Sequence, residues 1–394
     1  MMLALFFCVL FHEVMKMLVA EMADGRIINI IEETRDTLLH KRGNKYYCPV
    51  CHKEMIIKIG AIKQAHFAHK HLYECQGVNE PETVEHIRGK ALLYRWAIQK
   101  GLNVQLEYPM PQIDQRPDVW MEDRLAVEFQ CSPLSIERLR ERNEGYASIG
   151  KVCWLLGKQL SIKEKITNLQ RAFIKWHPSW GNYLIYLDTE QENIKLLYHI
   201  QEFVFTHEVF FSELNLTPDE LLLFMLDGKY HRQLFHQWRY SLKEIYLDQA
   251  HTIKRALFSR KKEVMAIQRL LYLEGYHLSA LHPMILLPSL VSDTSFDNEI
   301  IHRIKFIKQI ATQPIITKEE LRLYCHELSQ ESQMKFREWL RLLVEVSLLK
   351  IESHQLRVIQ PINIMMTEEE IQLFVEKNLN NRVFVSRLPH NVVS

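Results

Sequence analysis

The stretch that most constrains the fold is Arg116 to Gln130, RPDVWMEDRLAVEFQ. Two short β-rich runs flank a polar turn of Glu122, Asp123 and Arg124. Side chains alternate along a strand, so Glu128 and Gln130 share one face and Phe129 points to the other. Asp118 opens the first strand, and Glu128 lies near the end of the second. An acid beside a strand-opening proline, followed by Glu-x-Gln ten residues on, supplies two carboxylates of the kind that hold a hard divalent cation.

The chain has 394 residues, 47% hydrophobic and 25% charged, which leaves room for two or three domains. Its net charge of +1 exerts no global pull on nucleic acid, so any basic surface has to be local. Seven cysteines, an odd number, argue against a disulfide scaffold. Most of them fall between Cys48 and Cys153, which suggests thiols used locally in a reducing cytoplasm. The opening run MMLALFFCVLF is shorter than the roughly 20 apolar residues a bilayer span requires. No Lys or Arg precedes it, as a signal peptide would have. Residues 1–16 therefore read as an extension with no fold role, or as the product of a misplaced start codon. A membrane anchor is the competing reading, and no stable membrane insertion is expected.

From Met17, LVAEM and RIINI flank Ala23-Asp24-Gly25 and predict a hairpin with a tight primed turn. A short polar helix is expected over Glu32 to Arg42. The segment KYYCPVCHKEMIIKIGAIKQAHFAHKHLYEC follows. Cys48 and Cys51 form Cys-x-x-Cys, and His66, His69, His71 and Cys75 come after. A Cys pair on a turn, with a His pair across a hairpin, can close a tetrahedral Zn2+ site. Cys48 and Cys51 fix one half of it. His66 and His69 are expected to supply the other half, with His71 or Cys75 as alternatives to either. Four protein ligands leave no open position, so the zinc would be structural. Residues 17–78 are expected to form this zinc-finger-like β-hairpin module.

Residues 79–160 read as an α/β unit. A helix over Asn79 to Lys100 carries Val84, Ile87, Ala91, Tyr94 and Ile98 as its buried stripe, and Gly101 stops it. Glu85 in its first turn suits the helix dipole and by itself reads as a surface residue. NVQLEYP alternates as a strand, ahead of the two strands of the opening stretch. Ser132 and Pro133 are expected to start a helix that runs to about Tyr146. Arg138, Arg142 and Tyr146 lie on one face of it, either as a row for a phosphate backbone or as a solvated face shared with Glu137, Glu141 and Glu144. KVCWLL is a buried strand ending at Gly157. The order helix, three strands, helix, strand implies a mixed sheet flanked by helices.

Nine of the twelve glycines lie at or before Gly157, so residues 161–394 are expected to be mostly helical. A helix is expected over Ser161 to Trp176, then a small meander of YLIYLD, IKLLYHI and EFVFT. Thr217-Pro-Asp-Glu220 and Thr317 to Glu320 are capping boxes that start helices. Lys254, Arg255, Arg260, Lys261 and Lys262, with Arg269, make the most basic segment, suited to phosphates or to plain solvation. Two helices and the alternating KIESHQLRVI suggest a winged-helix module at 316–360. No glycine-rich phosphate loop and no Gly-x-Ser-x-Gly elbow is present, which leaves nucleotide hydrolysis and serine-hydrolase chemistry without support.

The Asp118, Glu128 and Gln130 spacing resembles the PD-(D/E)xK nuclease motif, with Gln where Lys is usual. YYCPVC, HFAH, EHIRGK, QRPDVW, AVEFQCSPLS and WLLG, in this order, resemble the competence protein CoiA family over Met17 to Gly157. The resemblance implies an N-terminal zinc-finger-like module, a PD-(D/E)xK nuclease-like domain and a helical C-terminal region. It implies a cytoplasmic role in natural transformation, on single-stranded or branched DNA, in company with the RecA recombinase and other competence proteins. It implies Mg2+ or Mn2+ held by Asp118, Glu128 and Glu85. Gln130 stands at the lysine position, and Lys90 is a candidate cation from the same helix as Glu85. Two readings follow. One is a metal-dependent DNA endonuclease that processes incoming DNA or recombination intermediates. The other is a DNA-binding mediator of recombination with weak or lost cleavage, which Gln130 favours.

Overall fold

The computed structural model describes residues 16–60, 64–71, 83–163, 165–177, 180–202, 209–228, 242–287, 289–290, 296–328 and 330–379. The apolar opening and Cys75 lie outside them. The chain packs as two units. One comprises the described residues within Met1–Ser161, Leu184–Leu196 and Asn215–His231. The other comprises those within Ile162–Tyr183, Leu197–Leu214 and Arg232–Ser394.

The first unit begins with β1 (Lys16–Met17), β2 (Val19–Met22), β3 (Ile27–Asn29), α1 (Arg35–His40), β4 (Tyr46–Tyr47), β5 (Glu54–Lys58) and β6 (His66–His69). These strands form one antiparallel sheet in the order β1-β6-β5-β4-β2-β3. The expected zinc hairpin is thus β5 and β6 within a larger sheet, not a separate module. The β2–β3 turn is not the primed type. Gly25 alone takes a left-handed φ, 81°, closing the turn through its N–H to the Met22 carbonyl.

Next come α2 (Val84–Gln99), β7 (Val104–Leu106), β8 (Val119–Met121), β9 (Leu125–Gln130), α3 (Ile136–Ala147) and β10 (Lys151–Leu156), in the order the sequence predicts. β7, β8 and β9 are antiparallel neighbours, while β10 runs parallel to β9 from Lys151↔Leu125 to Leu156↔Gln130. The sheet is mixed and flanked by helices. Glu122 and Asp123 both adopt φ near 51°, so the β8–β9 turn is of the primed kind that matches strand twist. Both acids are also used as acceptors, since the Asn103 N–H donates to Glu122 and its side-chain amide donates to Asp123.

All six residues of β9 are buried, which is unusual for a strand carrying Glu128 and Gln130. α2 lies close on one side because Gly89 has no side chain. A Cβ there would stand 2.1 Å from the Phe129 ring. The buried band of α2 is broader than the predicted stripe and includes Gly89, Lys90, Leu93, Trp96 and Ala97, while Val84 and Ile98 are exposed. Its start is Thr83, whose hydroxyl accepts from the His86 N–H. α3 starts at the Ser135 cap rather than at Ser132, whose carbonyl instead accepts from the Gln130 side chain.

Residues 161–394, expected to be mostly helical with a small meander, hold more strand than that. The segment expected as a helix over Ser161 to Trp176 is a short helix, Asn168–Phe173, followed by the strand Lys175–His177. Long strands Gly181–Asp188, Asn193–Glu202 and Val209–Leu216 form a meander, and the EFVFT run expected as a strand lies, after Glu202, outside the described residues. Further on, helix Phe296–Thr312 leads through strand Ile315–Thr317, helices Lys318–His326 and Gln330–Glu345, and a hairpin of Leu349–Glu352 with Gln355–Val358. The first of these strands pairs with the last, Ile316 opposite Leu356. Trp339, Phe336 and Phe306 centre the core of this unit, and the Arg303 guanidinium lies over Trp339 while donating to the Ile285 and Leu287 carbonyls.

Candidate functional site

The antiparallel pairing Val119↔Val127 sets Asp118 beside Glu128, the next residues along each strand. Both are buried, with Glu128 only 1% exposed. Asp118 Oδ2 accepts from the Phe129 N–H at 2.8 Å and bonds His86 Nε2 at 2.9 Å. Glu128 Oε1 accepts from the Tyr146 hydroxyl, and the Arg142 guanidinium stands 2.5 Å from the same oxygen. The second oxygens, Asp118 Oδ1 and Glu128 Oε2, take no hydrogen bond among the described residues.

The two carboxyls titrate in opposite directions. Burial raises Asp118, but the charge and hydrogen bond of His86, with Lys90 and Arg142, outweigh it and hold the acid below its ordinary value. Burial pushes Glu128 up to about 7, against the pull of Arg142 and with a further push from Asp118. Burial thus dominates at Glu128, and the neighbouring positive charges dominate at Asp118.

Lys90 is fully buried, and its ammonium reaches Glu107 Oε1 at 2.5 Å. Glu107 also accepts from the Leu18 and Val19 N–H groups, tying β7 to the N-terminal sheet, and its own N–H donates to the Asp118 carbonyl. Lys90 is therefore a buried cation beside the carboxylates, anchored by an acid that sequence reasoning missed. Glu85 is half-buried and accepts from the Lys158 N–H at 2.9 Å. It does not gather with Asp118 and Glu128 into a ligand cluster. Gln130 shares the Glu128 face, but its amide is turned to the Ser132 carbonyl. His86 was also missed, although its place next to Glu85 in EHIRGK was the available signal.

The phosphate row expected on α3 divides in the structure. Arg138 is exposed and paired with Glu141, whereas Arg142 and Tyr146 turn inward onto Glu128. The Arg142 guanidinium lies 5.2 Å from the centre of the Trp154 ring. In the second unit, Lys254 is exposed and bonds Glu368, Arg255 and Lys262 are exposed on two successive helices, and Arg260 and Lys261 are exposed in the turn between them.

The other candidate centre lies at the N-terminal sheet. Cys48, Cys51 and His69 bring their donor atoms within 4.8 Å of one another, the one such group among the described residues. Cys51 Sγ lies 3.2 Å from His69 Nε2, and the Val50 N–H points at Cys48 Sγ. Two thiols and an imidazole at this spacing fit a metal such as zinc, which holds tetrahedral donors roughly 3.5–4 Å apart. His66 does not join them. It lies three residues from His69 on one strand, so the pleat sends it to the other face, where it bonds the Gln64 carbonyl. His71 is described and exposed, outside the cluster.

Residues 82–224 match the model for the nuclease-like domain of competence protein CoiA, and residues 30–77 match that for its N-terminal domain. Competence protein CoiA of Bacillus subtilis (strain 168) is 32% identical over 170 residues, covering 41% of this chain and 46% of that protein. The chain is a homologue of competence protein CoiA. The likeness spans less than half of the CoiA relative's length, and the nuclease-like match takes in Glu85, Asp118, Glu128 and Arg142. No solved structure matches the chain. No helix among the described residues is long and apolar enough to cross a membrane.

Proposed function

We propose that this chain acts on DNA during natural transformation as a metal-dependent nuclease of the PD-(D/E)xK kind. The observation that carries the reading is the burial of Asp118 and Glu128 side by side, each with one oxygen uncommitted among the described residues. Two carboxylates that close repel one another and lose hydration, and a hard cation offsets both costs. Asp118 and Glu128 would hold Mg2+ or Mn2+, with Glu85, on α2, as the further acid the resemblance implies. Bound there, the ion would activate water and polarise a phosphate. Gln130 brings no charge. Lys90 and Arg142 supply positive charge from the flanking helices, and His86 orients Asp118. Single-stranded or branched DNA is the proposed substrate, with RecA-type recombinase as a functional partner. Zinc on Cys48, Cys51 and His69 would brace the N-terminal sheet.

A second reading is favoured by one feature. Arg142 and Tyr146 already fill one oxygen of Glu128, as they would in a protein that keeps a DNA-binding surface and no longer cuts. The test is incubation of the purified chain with single-stranded, duplex and branched DNA in Mg2+ and in Mn2+, beside Asp118→Ala and Glu128→Ala. Cleavage lost in both variants supports the nuclease. Binding without cleavage under either metal supports the mediator.

A further inference from the structure

Arg142 holds a carboxylate that the nuclease reading needs for a cation. Its guanidinium is 2.5 Å from Glu128 Oε1, and the Tyr146 hydroxyl donates to the same oxygen. A divalent cation on Glu128 would stand within a few ångströms of the guanidinium. The two positive groups would repel one another across a single carboxylate. Cation binding and the Arg142 contact therefore oppose each other.

Three features give Arg142 somewhere else to go. Its side chain is 14% exposed while that of Glu128 is 1% exposed, so the guanidinium sits at the mouth of the site and the carboxylate at its floor. The Trp154 ring lies beneath it at 5.2 Å, a face that favours a cation without fixing it to one acceptor. The guanidinium is a planar fork suited to two oxygens of a phosphodiester.

We propose that Arg142 couples DNA arrival to cation binding: in the free protein it occupies Glu128, and a backbone phosphate draws it away and leaves Glu128 to hold a divalent ion. The proposal rests on the nuclease-like reading of Asp118 and Glu128. It makes Arg142 a phosphate-contacting residue in the bound state and a guard of the cation position in the free one. Tyr146 is the second donor that keeps the closed arrangement.

The experiment measures Mn2+ bound by the full chain, by electron paramagnetic resonance, with and without a short single-stranded oligonucleotide. In the native chain the oligonucleotide should tighten Mn2+ binding by roughly tenfold or more, a usual size for coupled sites. Mn2+ should tighten oligonucleotide binding by the same factor. Arg142→Gln should bind Mn2+ without DNA as tightly as the native chain does with it, and DNA should add little. Tyr146→Phe, which leaves all charges in place, should fall between them and stands in should Arg142→Gln fail to fold. Glu128→Gln should lose this binding under both conditions. Mn2+ binding that is lost in Glu128→Gln but no tighter in Arg142→Gln or Tyr146→Phe would overturn the exchange and leave the nuclease-like site standing. Unchanged binding in Glu128→Gln would remove the metal reading, and the exchange with it.

Discussion

The Lys90–Glu107 pair is the strongest test of how the first unit is held together. Both side chains are sealed from solvent, 0% and 1% exposed, and their charged atoms are 2.5 Å apart. Glu107 spends its remaining capacity on the Leu18 and Val19 N–H groups of the N-terminal sheet. Glu107→Gln keeps an oxygen for those donors but takes away the carboxylate that Lys90 faces. Breaking a buried pair from one side costs about 3–5 kcal/mol. Lys90→Met leaves a carboxylate that still accepts two N–H bonds, so its cost should lie near the bottom of that range, about 3 kcal/mol. The double variant Lys90→Met/Glu107→Gln removes both charges, keeps the acceptor and fills the volume. It should cost roughly 0–2 kcal/mol, since an apolar replacement of a whole buried pair is often close to neutral. The double variant should therefore be more stable than Glu107→Gln alone. Urea unfolding followed by tryptophan emission gives the stabilities, and hydrogen exchange on β7 and α2 peptides assigns the transition to this unit. Single costs under about 1 kcal/mol, or a double cost equal to the sum of the singles, would refute the reasoning.

Other predictions are independent of that pair. His282 is buried against Phe374 and accepts from the Met284 N–H, and burial lowers its pKa to about 4. The unfolded chain then binds the proton more readily, so stability should fall by up to about 3 kcal/mol as pH drops from roughly 6.5 towards 4. His282→Gln should flatten that slope in pH-dependent melts of the second unit. Cys51→Ser and His69→Ala should each abolish stoichiometric zinc in metal analysis and destabilise the N-terminal sheet, while His66→Ala should retain the zinc. Gly89→Ala would drive a Cβ into the Phe129 ring, and denaturant unfolding should show a loss of about 1–3 kcal/mol or more.

What was legible in the sequence is what is local. The β8–β9 hairpin announces itself because its turn and both strands lie within Arg116 to Gln130, and the order from α2 to β10 follows from periodicity alone. The capping boxes at Thr217 and Thr317 are present because hydroxyl and carboxylate are three residues apart. Equivalent boxes at Thr167 and Thr367 carried the same signal and were passed over. His66 and His69 looked equivalent as a pair, and only the strand pleat separates them. The α3 cap shifted to Ser135 because nothing in Ser132-Pro133 says that the Ser132 carbonyl will serve the Gln130 amide. The strands after Asp188 were underestimated because few glycines mark their turns, so a helical composition hid them.

The candidate site shows why the rest was out of reach. The motif runs along two strands and can be read in one dimension, but the charges that balance it come from other elements. His86 is 32 residues from the carboxylate it bonds, Glu107 is 17 from Lys90, and Tyr146 is 18 from Glu128. Taken along the strand, Gln130 looks like the loss of an essential cation. In the folded chain, cations stand on both sides of the carboxylates, Lys90 from α2 and Arg142 from α3. A lysine at 130 would crowd a third positive charge onto a face where Arg142 already holds Glu128. The neutral amide is consistent with that arrangement, because positive charge has moved off the strand and onto helices. Whether such a site cuts depends on whether Arg142 can leave Glu128, which is a question about α3 rather than about the motif.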